Sequence, residues 1–135
     1  TDGQKMSKSY NNFIDIFLPD KELRKQIMGI ETDSTPLEGS KNPEKCNVFN
    51  MYKLIANEEQ THNLKSKYIA GNFGFGHAKQ ELFELICNTY KNERNKFRHL
   101  IQNKHILDEE LELGAKKAKL IAQDVLERIR KKIGY

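Results

Sequence analysis

Residues 78–103 read AKQELFELICNTYKNERNKFRHLIQN, and their spacing decides the fold class. The apolar positions recur every three or four residues, which is the pattern of one buried face on a helix. They are Ala78, Leu82, Leu85, Ile86, Tyr90, Phe97, Leu100 and Ile101. Glu93 interrupts this stripe, and the stripe then resumes. The sequence therefore predicts one long amphipathic helix from Ala78 to about Asn103.

The last part of the chain continues the helical pattern. Asp108 is the predicted N-cap of a final helix. The apolar positions that follow alternate steps of four and three, namely Leu111, Ala115, Ala118, Ala122, Val125 and Ile129. This spacing predicts a seam between two antiparallel helices packed at a shallow angle. No segment alternates with period two over the length of a strand, so an all-α antiparallel helical bundle is expected.

Three shorter helices are predicted upstream from capping and stopping residues. Their boundaries are Asp20 and Gly29 for the first, Asn42-Pro43 for the start of the second, and Thr61 and Gly71 for the third. Their buried positions are Leu23, Ile27 and Met28; then Val48, Met51, Tyr52 and Ile55; then Leu64 and Tyr68. Residues 31–42 are rich in Thr, Ser, Pro, Gly and Asn, which predicts a loop between the first two helices.

A glycine-rich segment at residues 71–76 has the order G-x-x-G-x-G. No strand pattern precedes it, whereas the dinucleotide-binding fingerprint requires a strand, a turn and a helix in succession. We interpret it as a connector held by Phe73 and Phe75 rather than as a phosphate cradle.

Composition excludes several classes of protein. The chain has 135 residues, 37% hydrophobic and 31% charged, which suits one domain with a modest core. The net charge of +4 permits an anionic partner and does not require one. No apolar run approaches the roughly 20 residues of a membrane span, and the N-terminus lacks the apolar core of a signal peptide. A cytoplasmic protein without a membrane contact is the expectation.

Cysteine and histidine spacing predicts no metal site. Cys46 and Cys87 are far apart and unaccompanied by a ligand pattern, so both are expected to be reduced, buried thiols. His99 and His105 are six positions apart, which does not place them on one helical face.

The segment Lys5-Met6-Ser7-Lys8-Ser9 carries two ammonium groups and two hydroxyls. Such groups are suited to holding a polyphosphate while negative charge moves toward departing pyrophosphate. A solvated basic tail has the same composition, and charge alone favours that second interpretation.

A family resemblance favours the first interpretation. The run from Gly3 to Ser9 resembles the G-x-KMSKS motif of class I aminoacyl-tRNA synthetases. Further similarities in order and spacing extend the resemblance to the C-terminal part of bacterial tryptophanyl-tRNA synthetases, over essentially the whole chain. They are Thr32-Asp33-Ser34, Asn42-Pro43, Gly114-Ala115-Lys116-Lys117-Ala118, Leu126, Ile129, Arg130 and Gly134.

The resemblance implies a function for the KMSKS segment. In such enzymes the lysines contact the phosphates of ATP, the serines and backbone N–H groups add hydrogen bonds, and the loop closes when ATP arrives. For this chain the resemblance implies that Lys8, and after it Lys5, are the catalytic candidates. It also implies that Met6, Ser7 and Ser9 complete the ATP-binding loop. The implied substrates are tryptophan, ATP with Mg²⁺ and tRNA(Trp), and the implied parent is a homodimer.

Two departures from the family pattern suggest a fragment. A Pro-Gly-Val-Ser-Asn-Leu-like run is replaced by residues 45–51, where Val48 and Asn50 are the firm matches. The Rossmann-type fold and the His-containing ATP motif that precede the lysine loop in the family are absent from the sequence. We therefore expect residues 1–18 to be the loop and edge of a catalytic domain, and residues 19–135 to form a helical anticodon-binding-type domain. The fragment alone is expected to be inactive.

Basic residues on the predicted helices are candidate tRNA contacts. They are Lys91, Arg94, Lys96 and Arg98 among Asn88, Asn92 and Asn95, and Arg128, Arg130, Lys131 and Lys132 near the end. The second group also complements the helix dipole, opposite acids that begin at Asp108. Two alternatives remain: a free-standing helical RNA-binding module with a basic tail, and the equivalent part of a tyrosyl-tRNA synthetase.

Overall fold

The structure, a computed structural model, describes residues 1–134. Over that range it contains six α-helices, one 3₁₀ turn and no strand, which confirms the predicted all-α class. The helices are α1 (Asp20–Met28), α2 (Asn47–Tyr52), α3 (Glu58–Ala70), α4 (Phe75–Thr89), α5 (Lys91–Gln102) and α6 (Lys104–Ile133), and the 3₁₀ turn is Pro43–Lys45.

The chain forms two compact units. The first runs from Thr1 to Arg94, and the second begins at Asn95. The core of the first unit lies where α1 and α2 pack against α4. Its buried apolar residues include Leu23, Ile27, Ile30, Val48, Phe49, Leu64, Tyr68, Ala78, Leu82 and Ile86. The KMSKS segment belongs to this first unit.

Helix α1 follows the predicted pattern. Pro19 lies at its N-cap, Asp20 and Glu22 occupy its first turn, and Gly29 ends it. Leu23 and Ile27 are buried, four positions apart on one face. The predicted cap at Asp20 is displaced by one residue, since Asp20 is already helical.

The helix predicted from Asn42-Pro43 is interrupted. Asn42 caps the 3₁₀ turn by accepting a hydrogen bond from the Glu44 N–H at 3.0 Å. Cys46 then takes an extended conformation, with φ −97° and ψ 120°, and α2 starts after it. The predicted apolar face is confirmed in part: Val48 and Tyr52 are buried, Met51 is half-buried, and Ile55 is half-buried and lies beyond the end of α2.

The prediction of Thr61 as the cap of α3 is wrong. Asn57 accepts a hydrogen bond from the Gln60 N–H at 2.8 Å, and the Gln60 side chain accepts one from the Asn57 N–H at 3.0 Å. This reciprocal pair is a capping box and moves the start of the helix to Glu58. Thr61 lies inside the first turn, where its hydroxyl donates to the Asn57 carbonyl.

The single helix predicted from Ala78 to Asn103 is two helices. Tyr90, with φ −101° and ψ 23°, leaves helical geometry and separates α4 from α5. The break falls just before Glu93, where the apolar stripe is interrupted. Asn103 separates α5 from α6 in the same way, with φ −124° and ψ 63°.

The prediction that Asp108 caps the last helix is also wrong, since α6 begins at Lys104. None of its residues through Ile133 is buried. Leu111, Val125 and Ile129 of the predicted seam are 69%, 40% and 49% exposed. The buried seam is therefore not observed, because a 3–4 spacing marks an apolar face and does not specify what covers it.

Candidate functional site

The KMSKS segment lies in irregular chain before α1. Lys5, Met6, Lys8 and Ser9 are exposed, and Ser7 is half-buried. The Asn11 N–H donates to the Lys8 carbonyl at 3.2 Å and closes a tight turn. Within residues 1–134 neither lysine forms an ion pair. Both ammonium groups are consequently available to an anionic ligand.

The buried Asn12 side chain organises this segment. Asn12 is 3% exposed. Its Oδ1 accepts a hydrogen bond from the Ser7 N–H at 2.7 Å, and its Nδ2 donates to the Lys5 carbonyl at 3.2 Å. One amide group thus fixes the backbone at the first lysine and the first serine. The sequence analysis did not identify Asn12. Its hydrogen bonds lie within an irregular loop, and irregular chain has no periodic pattern from which a buried polar residue can be predicted.

Asp2 completes the hydrogen-bond network at the start of the loop. Its Oδ1 accepts from the Gln4 N–H and from Asn12 Nδ2, each at 3.0 Å. These bonds, the one from Gln4 first, lower the pKa of the Asp2 carboxyl below its ordinary value because they stabilise the charged form. The carboxylate therefore braces the loop instead of pairing with its lysines.

The two hydroxyls of the segment lie next to each other. Ser7 Oγ and Ser9 Oγ are 2.8 Å apart and share a hydrogen bond. Each hydroxyl can donate one hydrogen bond and accept others. The structure thus brings the two predicted hydroxyls together.

A cleft borders the loop on the side of α2. Its volume is about 210 Å³, and it is lined by Thr1, Gly3, Gln4, Met6, Asn47, Asn50, Met51 and Leu54. Ligand pockets usually have roughly 300–1,000 Å³. The cleft is therefore too small to enclose a nucleoside triphosphate by itself.

The candidate tRNA contacts differ in accessibility. Lys91, Lys96 and Arg98 are exposed, whereas Arg94 is only 5% exposed. The prediction that Arg94 lies on the RNA-facing surface is therefore wrong. Its guanidinium group is engaged by the chain near α1, including Asp20 at 2.5 Å.

The basic residues near the end of α6 are all exposed. Arg130, Lys131 and Lys132 occupy its last turn, where positive charge complements the helix dipole. The acidic half of that interpretation is wrong, because α6 has no acidic residue in its first turn. Helix α6 starts four residues before Asp108.

The glycine-rich segment is a connector, as predicted. Gly71 has a φ of 76°, and Phe73 and Phe75 pack against the core. Their ring centroids lie 5.9 Å and 6.1 Å from that of Tyr68. The aromatic rings hold the segment in place, so its glycines serve the turn.

The described residues offer neither a metal-binding cluster nor a membrane span. Among residues 1–134, no group of three or more His, Cys, Asp and Glu side chains is placed to hold a metal ion. Cys46 and Cys87 form no disulfide with each other; Cys46 is buried and Cys87 is half-buried. No helix in the described range is both long and apolar enough to cross a bilayer.

Comparison with known proteins identifies the family. Residues 1–91 match the model of the class I tRNA synthetases that is described for W and Y. The chain belongs to this family. The match includes the KMSKS segment and helices α1 to α4.

Curated relatives are tryptophan--tRNA ligases. That of Fusobacterium nucleatum subsp. nucleatum is 45% identical over 134 residues, which cover 99% of this chain and 41% of the relative. That of Campylobacter jejuni (strain RM1221) is 46% identical, over 99% of this chain and 42% of the relative. The chain thus spans about two fifths of the length of these relatives.

Solved structures show the same fold. A crystal structure of tryptophanyl-tRNA synthetase from Campylobacter jejuni matches with a TM-score of 0.96 and 46% identity, over 100% of this chain and 44% of that one. A second crystal structure, of that organism's enzyme with ADP and tryptophan, also matches with a TM-score of 0.96, over 99% of this chain. These family members are tryptophan enzymes, which favours that branch over the tyrosyl alternative.

Proposed function

We propose that this chain is the C-terminal part of a tryptophan--tRNA ligase, which activates tryptophan with ATP and attaches it to tRNA(Trp). The observation that carries the proposal is the KMSKS segment, whose two lysines are exposed on a loop fixed by Asn12. The similarity of the whole chain to tryptophan--tRNA ligases supports it. An ADP and tryptophan complex of one relative is in keeping with this chemistry.

Lys8 and Lys5 are the proposed catalytic residues. Their ammonium groups stabilise charge on the phosphates as pyrophosphate departs, with Lys8 acting chiefly in the transition state. Ser7, Ser9 and the backbone at Met6 supply hydrogen bonds to phosphate oxygens. Because this role is electrostatic, no covalent intermediate with the loop is required.

The loop acts by closing on the nucleotide. All four of its polar side chains face solvent or lie near the surface, and the neighbouring cleft is small. Charge that arrives late in a site that excludes water stabilises the transition state more than the ground state. On this proposal the opposing wall of that site, including the tryptophan pocket, lies outside this chain.

Mg²⁺ is proposed to arrive with ATP. Hard cations of this kind are bound by carboxylate and phosphate oxygens. Asp2, the carboxylate of the loop network, is already engaged by Gln4 and Asn12. We therefore assign no metal ligand and no metal-dependent step to this chain.

The helical part is proposed to contact the tRNA. Exposed Lys91, Lys96 and Arg98, with the neighbouring Asn88, Asn92 and Asn95, offer phosphate contacts and donors for unpaired bases. On this proposal residues 1–18 complete the catalytic domain and residues 19–135 form the anticodon-binding-type domain. The parent is proposed to be a homodimer that works in the cytoplasm.

Tryptophan-dependent exchange of labelled pyrophosphate into ATP tests the proposal. The longer protein that contains this chain is expected to catalyse the exchange with tryptophan and not with tyrosine. The chain alone is expected to give none, since it supplies one side of the phosphate site. Exchange by the pure chain, or a longer protein specific for another amino acid, would refute the assignment.

A salt series separates the ligase from a free-standing RNA-binding module. A module held by phosphate contacts binds tRNA by itself, with an affinity that falls steeply as salt rises. The isolated chain, without an acceptor-stem surface, is expected to bind tRNA(Trp) weakly or not at all. Tight, salt-sensitive binding by the chain alone would favour the module.

A further inference from the structure

Arg94 is buried on a helix whose other residues are exposed or half-buried. It is 5% exposed, and it is the only buried residue of α5 in the described part of the chain. Burial of an arginine is unfavourable unless its donors are satisfied. The position therefore calls for a specific set of acceptors.

The acceptors all come from one short segment. Arg94 Nη1 donates to the Ile16 carbonyl, and Nη2 donates to the Leu18 carbonyl at 3.1 Å and to Asp20 Oδ1 at 2.5 Å. These acceptors lie 74–78 positions earlier in the chain. The planar fork of a guanidinium group suits such a cluster, and an ammonium group does not reproduce it.

This segment joins the C-terminal end of the KMSKS loop to α1. Residues 13–19 connect Asn12, which fixes the loop, to α1, and Asp20 is the first residue of that helix. Pro19 at the start of this helix makes no side-chain capping bond. The Asp15 N–H donates to Gln26 Oε1 at 3.0 Å, so the exit is also tied to α1 itself. Arg94, at the end of the first compact unit, supplies a further tie to this segment.

We propose that Arg94 is a positioning residue for the KMSKS loop. By holding the segment of residues 16–20 in place, it sets where Lys5 and Lys8 lie when the loop closes on ATP. The inference rests on the proposed function, since it assigns Arg94 to that reaction. Arg94 itself touches no substrate; it acts through the backbone at Ile16 and Leu18.

Three variants separate positioning from general stability. Arg94→Met removes all of the bonds, and Arg94→Lys keeps the charge without the fork. Arg24→Met is the matched control, because Arg24 also joins two helices, through a bond from Nε to Gln80 Oε1 at 3.0 Å. That pair is exposed and lies outside the segment that leads to the loop.

Amide hydrogen exchange on this chain tests the geometry without any activity. The Ser7 amide, which donates to Asn12, reports on the loop, and the Leu64 amide within α3 reports on the core. Arg94→Met is expected to speed exchange at Ser7 about tenfold or more, since hydrogen bonds to charged groups are strong. Exchange at Leu64 is expected to stay as in wild type. Unchanged exchange at Ser7, or equal acceleration at both amides, would overturn the inference.

Kinetics of the longer ligase test the consequence. Arg94→Met is expected to lower kcat for pyrophosphate exchange by about 10- to 100-fold, the effect of a misplacement near 1 Å, while KM for tryptophan holds. The kcat of Arg94→Lys should lie between those of wild type and Arg94→Met, and the kcat of Arg24→Met should match wild type. If Lys8→Ala lowers the rate and Arg94→Met does not, the inference fails and the proposed function stands. If Lys8→Ala leaves the rate of pyrophosphate exchange unchanged, the proposed function fails. The rate of amide hydrogen exchange at Ser7 then decides by itself whether Arg94 positions the loop.

Discussion

The buried amide of Asn12 accepts a hydrogen bond from the Ser7 N–H at 2.7 Å, in the middle of the KMSKS segment. The same side chain donates to the Lys5 carbonyl at 3.2 Å. A residue outside the motif thereby determines the backbone on which the motif lies. The side chains of Lys5 and Lys8 are exposed, whereas their backbone carbonyls accept hydrogen bonds from Asn12 and Asn11.

Asn12→Ala is expected to destabilise the chain by about 1–3 kcal/mol, because it leaves partners in the loop without their bonds. Asn12→Asp should cost at least as much at neutral pH, since a carboxylate cannot donate and would face Asp2. Urea unfolding measures both. Tyr10→Ala, at a side chain that is 77% exposed in the same loop, is the control and should stay near wild type.

The Asp2 carboxyl should titrate below its ordinary pKa in the folded chain, because Gln4 and then Asn12 donate to its charged form. A pKa lowered by folding gives a stabilisation that is present above the pKa of the unfolded chain. It is lost as the pH falls through the lower, folded pKa. Carboxyl NMR titration measures this, and Asn12→Ala should move the pKa of Asp2 upward. An unmoved value would remove Asn12 from the network.

Gly71→Ala is expected to destabilise the chain by about 1–3 kcal/mol or more. The φ of Gly71 is 76°, and an added Cβ would lie 2.5 Å from the Glu38 carbonyl oxygen. Gly76→Ala is the matched control in the same segment, because an added Cβ there meets nothing within 4 Å. That change should be neutral or stabilise α4 by up to about 1 kcal/mol. Equal effects of the two changes would contradict the assignment of Gly71 to the turn.

Lys41→Met tests the loop of residues 31–42. Lys41 is 3% exposed, and its Nζ donates to the carbonyls of Pro36, Leu37 and Gly39 at 2.9, 3.2 and 3.1 Å. Loss of this donor should lower the free energy of unfolding by about 1–3 kcal/mol. Lys45→Met, at an exposed lysine, should stay within about 0.5 kcal/mol of wild type. A stable Lys41→Met variant would show that the three bonds are dispensable.

Local sequence signals predicted the helices well where one residue decides a boundary. Gly29 and Gly71 are the C-cap residues of α1 and α3. Gly71 has a φ of 76°, which residues other than glycine avoid, whereas Gly29, with a φ of −80°, keeps an ordinary conformation. The cap of α3 was misplaced because Asn57 and Gln60, three residues apart, form a capping box that competes with Thr61. The break at Tyr90 was not predicted because no proline or glycine lies near it in the sequence.

Of the candidate site, the sequence predicted the KMSKS residues but not the residues that hold them in place. Lys5 and Lys8 belong to a contiguous pattern, so the sequence displays them directly. Asn12 and Arg94 make their bonds to residues 5 to 78 positions away, and such pairings arise only when the chain has folded. Polar residues of this kind resemble surface residues in sequence, which is why Arg94 was assigned to the RNA-facing surface.

The central claim is that the KMSKS lysines stabilise the phosphates of ATP during activation of tryptophan. The most direct test is the rate of tryptophan-dependent pyrophosphate exchange by the longer ligase carrying Lys8→Ala, with the exposed α1 residue Lys21→Ala as the control. We expect Lys8→Ala to lower kcat far more than it weakens tryptophan binding, and Lys21→Ala to match wild type. An exchange rate that is unchanged in Lys8→Ala would contradict the account.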